Sequence, residues 1–418
     1  MSGPGAAPGN QEPNQQETVI LLGTDTPIGL AVVRDLGRHG YRTIGIGRSR
    51  EALAGYSRFC HHHAVRRDDE AGLIEQIKDL ATKYGAGYLL AIGENDLLLL
   101  NRHREALETE LRVLTPSGDR LAQVLDKAAC QAHAEAAGIA TPQTHRFRSL
   151  EDVRSAAPGL SYPLVLKWPD PHQVIDALKA AGLALIKTDY AQNPEDLVAR
   201  LAPYDAIGAF PLVQAYCPGH GLGQMFLAQD GEVLLEFQHE RLHEWPPEGG
   251  FSTLCRSVPL SEHGEAREKA RALLRRLNWS GVAMVEYRYD PATEGYVFME
   301  INGRFWGSLP LAIAAGLPFA AALVAHCGGG TRSLTLPRSY AALTACYWIP
   351  ETKRLLRLWL ERRKIQDPFY RPDPWRSLIS YLSFPLRLSS RWYVFQLSDP
   401  KPFFADLAAV LVKLVKRR

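Results

Sequence analysis

Cysteine is sparse and unpatterned. The six, at positions 60, 130, 217, 255, 327 and 346, are scattered through 418 residues with no C-x-x-C pair. That argues against a disulfide framework and a structural zinc site, and it fits a reducing, cytoplasmic setting. No apolar run reaches the ~20 residues needed to span a bilayer. The N-terminus has no basic-then-apolar signal pattern. The G-x-G-x-x-G spacing is missing from the first strand–helix turn, where only Gly23 and Gly29 stand. A dinucleotide site, and an oxidoreductase built on one, therefore have weak support. Residues 1–16 are dominated by Gly, Pro, Gln, Asn and Ala, too little apolar surface to order a chain, so a disordered tail is expected.

What remains is ordinary for a soluble enzyme: 46% hydrophobic and 22% charged residues, with length for two or three subdomains. Thr18–Gly23, a helix through Arg38 and a strand over 42–46 predict a βαβ opening of Rossmann type. His61, His62 and His63 invite a metal reading, but neighbours on a regular element point apart, and a solvated loop is expected. Ala91 to Asp96 ends a strand with polar residues suited to a cleft.

One stretch carries the chemistry: Val297 to Ser308. Glu300 and Asn302 alternate on an apolar run, so on a strand both face one side. Two hard oxygen ligands at one spot suit Mg²⁺. Arg304 follows Gly303 and could grip phosphate oxygens in bidentate fashion. Upstream, Gly281–Tyr287 reads as a buried strand ending at Glu286, and Asp290-Pro291 and Gly295 are turn chemistry. The two strands pair as a hairpin that brings Glu286 to Glu300 and Asn302. Either acid alone reads equally as a surface carboxylate; the three with Arg304 read as a cation site.

This ordered set resembles the ATP-grasp superfamily of carboxylate–amine ligases, over about residues 17 to 335. The Glu300–Arg304 run is similar to the metal-binding strand of biotin carboxylase, carbamoyl phosphate synthetase and the D-alanine ligases. The resemblance implies an α/β chain with an ATP-grasp fold preceded by a Rossmann-like domain. The expected divisions are 1–16 (tail), 17–115 (Rossmann-like), 116–335 (ATP-grasp, with a lid at about 145–215) and 336–418 (basic, amphipathic).

Further site residues come from the same resemblance. Asp126-Lys127, Gly138 to Pro142 and Pro163 to Lys167 follow the order that supplies two nucleotide lysines, implying that Lys127 and Lys167 contact ATP. Phe210 to Gly219 resembles the hinge, with Gln214, Ala215, Tyr216 and Cys217 along the adenine edge. Three places depart from the family. No glycine-rich loop follows Lys167, where the chain reads Trp168-Pro169-Asp170-Pro171-His172; Leu183 to Lys187 is the expected next lid strand. Gly221 stands where many members carry a ribose-binding acid. Met284 stands where D-alanine ligases carry Arg, so a different acyl acceptor is expected.

Past a hairpin across Asp230-Gly231, residues 239–252 read as a loop rich in cations, glycine and hydroxyl. It suits a carboxylate or acyl phosphate. Arg241 and Ser252 lead as substrate contacts, then His239 and His243. Ser308 could offer its hydroxyl to phosphate or simply cap a helix. The implied cofactors are ATP and Mg²⁺, with Mn²⁺ as a substitute, and the implied substrates are a small carboxylate and an amine. The alternative is a non-catalytic ATP-binding or membrane-surface scaffold. Residues 351–418 hold 15 Lys plus Arg against 6 Asp plus Glu. Interleaved with Trp and Phe, they suggest peripheral membrane contact. A homo-oligomer stays open, and nucleic acid is not expected.

Overall fold

Thr18–Leu22 (β1) is five β-favouring residues, all buried, as a strand covered on both faces requires. The structure is a computed structural model, and it describes residues 17–168, 171–186, 188–247, 249–330, 332–365, 370 and 372–416. The expected tail 1–16, along with Pro169, Asp170, Lys187 and Glu248, lies outside the described residues.

The chain divides into two compact units. One is Met1–Thr115 with Val324–Arg332 and Leu397–Arg418; the other is Pro116–Leu323 with Ser333–Gln396. This differs from a separate C-terminal region beginning at 336. The stretch after 333 is drawn into the second unit because it supplies two strands to that unit's sheet.

In the first unit β1 joins β2 (Arg42–Gly47), β3 (Cys60–Val65), β4 (Ala86–Ala91) and β5 (Arg112–Val113) in a parallel sheet ordered β3-β2-β1-β4-β5. The connecting helix Pro27–Arg38 starts at Thr26, whose hydroxyl accepts from the Gly29 N–H. His61–His63, expected in a loop, lie within β3. His63 pairs with Thr24 Oγ1 at 3.1 Å and His62 packs on Tyr84, so neighbouring residues take separate partners. The helix Lys401–Lys416 belongs here, preceded by buried Asp399. That carboxylate accepts from Arg34 Nε at 2.9 Å, Ser57 Oγ at 2.6 Å and the Arg58 N–H at 3.0 Å.

The second unit holds two sheets. Four short strands, β6 (Thr144–His145), β7 (Leu164–Lys167), β8 (Asp189–Ala191) and β9 (Leu212–Ala215), pair antiparallel in the order β6-β9-β7-β8. The expected strand over 183–187 is not among them; the lid's third strand begins at Asp189, and Lys187 is outside the described residues. The larger sheet comprises β10 (His220–Gln229), β11 (Glu232–Trp245), β12 (Phe251–Ser257), β13 (Gly281–Asp290), β14 (Gly295–Asn302), β15 (Thr344–Cys346) and β16 (Ser390–Trp392). Its order is β14-β13-β10-β11-β12-β15-β16. Asp230 and Gly231, at φ 49° and 82°, turn β10 into β11 as a primed hairpin turn requires.

One face of this sheet is core. Val285, Tyr287, Phe298, Ile301 and Phe226 pack with Trp279 and the helix Gly264–Arg276. Alternation then sends Glu286 to the other face. No helix among the described residues is long and apolar enough to cross a membrane.

Candidate functional site

β13 and β14 pair in a register that sets Glu286 opposite Glu300 and Met284 opposite Asn302. A bulge at Met299 is what allows both Phe298 and Ile301 to face the core while Glu300 and Asn302 share the other side. The Asn302 amide donates to Glu300 Oε1 at 2.9 Å. Its carbonyl oxygen, with the two carboxylates, makes a hard oxygen donor set that fits a divalent cation.

These acids stand on the wall of a cleft of about 490 Å³. Lys127, Lys167, Gln214, Ala215, Tyr216, Cys217, Arg241, His243, Glu286 and Glu300 all line it. Asp126 caps the helix that begins at Lys127, its side chain accepting from the N–H groups of Ala128 and Ala129, and this fixes the lysine at the helix start. Lys127 Nζ donates to the Trp168 carbonyl at 3.4 Å. Burial lowers the Lys167 ammonium from its ordinary range and Glu300 works against that, while Lys127 adds repulsion.

At the hinge, the Ala215 N–H goes to the Gln143 carbonyl at 2.9 Å and the Tyr216 N–H to Pro163 at 3.2 Å. Both of these N–H groups are thus engaged within the protein, which narrows the expected adenine contact. The Gln214 amide is turned to Thr144 Oγ1 at 3.0 Å. Arg288, which the sequence reading missed, donates to the Cys217 carbonyl at 3.3 Å and to the Gly219 carbonyl. It ties the hinge to the strand that carries Glu286.

Arg241 lies on β11, two strands from β13, yet its guanidinium meets Glu286 at 2.5 Å. It crosses over β10 at Gly221, where a Cβ would come within 2.7 Å of Arg241 Cδ. A ribose-binding acid at that position would collide with it. Burial opposes the Arg241 charge, but Glu286, Glu244 and Glu300 together hold it protonated above its ordinary value. Burial pushes the Glu286 carboxyl up, Arg241 pulls it down and Glu300 pushes it up again, with a net upward direction. A bound cation would reverse that.

The expected loop 239–252 is mostly strand; only 246–250 connect β11 to β12. Of its candidates, His243 reaches the cleft and His239 does not. His239 is buried over Gly223, whose Cβ would lie 2.7 Å from the ring. Burial, then Arg241, drives its imidazole down to about 3. Ser252 and Ser308 are also buried away from the lining. Ser308 precedes the helix Leu309–Ala314 but makes no side-chain cap. Arg304 follows β14 outside the lining, with Nη1 donating to the Phe305 carbonyl at 3.1 Å.

His243 is held by a network no local pattern announces. Its Nδ1 donates to Glu351 at 2.7 Å. Glu351 also accepts from Thr253 Oγ1 at 2.5 Å and from Arg354 at 2.6–3.0 Å. Arg354 in turn donates to the hydroxyl of Tyr370, another lining residue, at 3.1 Å.

Residues 257–331 match the family model described as the carbamoyl-phosphate synthase L chain, ATP binding domain. A D-alanine–D-alanine ligase of Acidiphilium cryptum (strain JF-5) is 28% identical over 219 residues, 51% of this chain. The match spans 66% of that relative's length. Two solved structures share the fold at low identity. The biotin carboxylase domain of the 2-oxoglutarate carboxylase of Hydrogenobacter thermophilus, in complex with MgADP, ADP and bicarbonate, gives a TM-score of 0.59 at 16% identity, over 79% of this chain and 74% of that one. An L-amino acid ligase from Bacillus licheniformis gives 0.55 at 15%, over 75% and 74%. A Rossmann-like parallel sheet in the first unit, and a small lid sheet with a large, mostly antiparallel sheet in the second, give the chain the ATP-grasp fold.

Proposed function

We propose that this protein is an ATP- and Mg²⁺-dependent ligase that joins a carboxylate to an amine through an acyl phosphate. The observation that carries this is the pairing of Glu286 with Glu300, backed by Asn302, in a cleft that also presents Lys127 and Lys167. A divalent cation, when bound, would offset the charge of the nucleotide phosphates. Lys127 and Lys167 add fixed positive charge where negative charge accumulates. Arg241, held at the cleft by Glu286, takes the substrate's carboxylate. Cys217 offers its N–H to the adenine edge. The relatives' names, a D-alanine–D-alanine ligase and an L-amino acid ligase, support acid-to-amine chemistry and leave open which pair is joined here.

His243 supplies the remaining step. With Nδ1 donating to Glu351, the neutral ring keeps a lone pair on Nε2. Arg354 also grips the Glu351 carboxylate, which fixes the group that orients the ring. As the C–N bond forms, Nε2 takes the amine's proton, and the acyl C–O bond breaks with its electron pair leaving on phosphate.

Hydroxylamine separates the two halves of the reaction, because it attacks an acyl phosphate without general-base help. Wild-type protein incubated with ATP, Mg²⁺ and a panel of carboxylates should release ADP and form a hydroxamate with at least one of them. His243→Gln should keep the hydroxamate and lose amide formation with amines by about a hundredfold, whereas Glu300→Gln should lose both. If wild type binds ATP and no carboxylate raises ADP release, the scaffold alternative replaces the ligase reading. If His243→Gln makes amide at the wild-type rate, the base is elsewhere.

A further inference from the structure

The helix Pro374–Ser383 and the turn after it carry Trp375, Ile379, Leu382 and Leu386 at spacings of four, three and four, which is one helical face. Their exposures are 64%, 66%, 64% and 83%, and that of Leu388 is 97%. The adjoining helix Trp348–Leu360 extends the surface. Trp359 meets Trp375 edge-on at 4.6 Å, and Leu360 is 77% exposed. The opposite sides of both helices are already used, with Leu355, Leu358 and Ser377 buried. No described residue covers the outer face. Isolated exposed leucines are ordinary, but a continuous stripe with two tryptophans marks an interaction surface.

Charge identifies the occupant. Between 351 and 391 the exposed, described cations are Lys353, Arg362, Arg363, Arg376, Arg387 and Arg391, against Glu361 and Asp373. Asp373 is engaged, accepting from the N–H groups of Trp375 and Arg376 as a helix cap. A second copy of the chain would bring the same cations against this rim and be repelled. An anionic bilayer offers phosphates to the arginines and an apolar boundary to the Trp, Ile and Leu side chains. We propose that this face docks the protein peripherally on an anionic lipid surface, with the Trp375–Leu388 stripe entering the headgroup boundary. The inference is independent of the ligase reading.

Flotation of the full-length protein tests it, using vesicles of phosphatidylcholine alone and of phosphatidylcholine mixed with phosphatidylserine. Wild type should float only with the anionic vesicles, and less as salt rises. The double substitution Ile379→Glu with Leu382→Glu should lower binding at least about tenfold. Both positions are exposed, so its melting temperature should stay unchanged. Arg387→Glu with Arg391→Glu should remove the preference for anionic vesicles. Wild type that stays at the bottom of the gradient with both vesicles overturns the proposal. So does wild-type flotation by the Ile379/Leu382 variant, which would move the contact elsewhere, for example to the helix Lys401–Lys416. A dimer that the same variant dissolves, without vesicle binding, makes a second copy the occupant and also overturns it.

Discussion

At the scale of single residues, Glu351 carries a pH signature. Burial alone would raise its carboxyl, but His243 and Arg354 overcome that and hold it down to about 2, from an ordinary 4.5. A depressed acid stabilises the fold above its unfolded value and loses that contribution as pH falls. The window is therefore from about pH 4.5 down toward pH 2, and the contribution is at most about 3 kcal/mol. Urea unfolding across that range should show stability falling steeply in wild type and less steeply in Glu351→Gln; parallel curves would contradict the assignment. Of the candidate site residues, the convergence of Glu286, Glu300 and Asn302 was legible in sequence because alternation on a strand is a local rule. His243 was legible only as a candidate, because its partner lies 108 positions away and no spacing encodes that contact. His239 misled because a cation-rich stretch reads as a loop, whereas here it is a strand whose earlier residues sit under neighbouring side chains.

At the level of elements, β10 opens a passage for Arg241. His220-Gly221-Leu222-Gly223 places two glycines on one strand face, Gly221 beneath Arg241 and Gly223 beneath His239. The alternating glycines were visible, yet Gly221 could be compared only with the acid usual in the family. Its actual role, clearance for an arginine two strands from its partner, needs the sheet order, and sheet order is not local. Gly221→Ala should therefore push Arg241 off Glu286 and lower carboxylate-dependent ADP release about tenfold to a hundredfold, the scale of a misplaced catalytic contact. Unchanged turnover would mean that Arg241 does not need this passage. The bulge at Met299 belongs to the same class of device. The expected hairpin formed, and the bulge reset which residues of β14 face the core, a shift that hydrophobic pattern alone does not reveal.

For the whole chain, the ordered motifs from Lys127 to Arg304 sufficed to recognise the ATP-grasp fold. Where residues 333–396 would go was not recognisable. They read as a basic, amphipathic appendage, and they fold as two more strands and two α-helices of the second unit, bringing Tyr370 to the cleft and Glu351 to His243. That assignment waits on pairing between β12 and β15, 90 positions apart at Cys255 and Ala345. Central to the proposed ligase is a divalent cation shared by Glu286 and Glu300 under a nucleotide. Electron paramagnetic resonance of Mn²⁺, titrated into the full-length protein with a non-hydrolysable ATP analogue, tests that most directly. Wild type should take up Mn²⁺ in the presence of the analogue, and Glu286→Gln and Glu300→Gln should each weaken uptake by about tenfold to a hundredfold. Equal Mn²⁺ affinity in wild type and both variants would contradict the account.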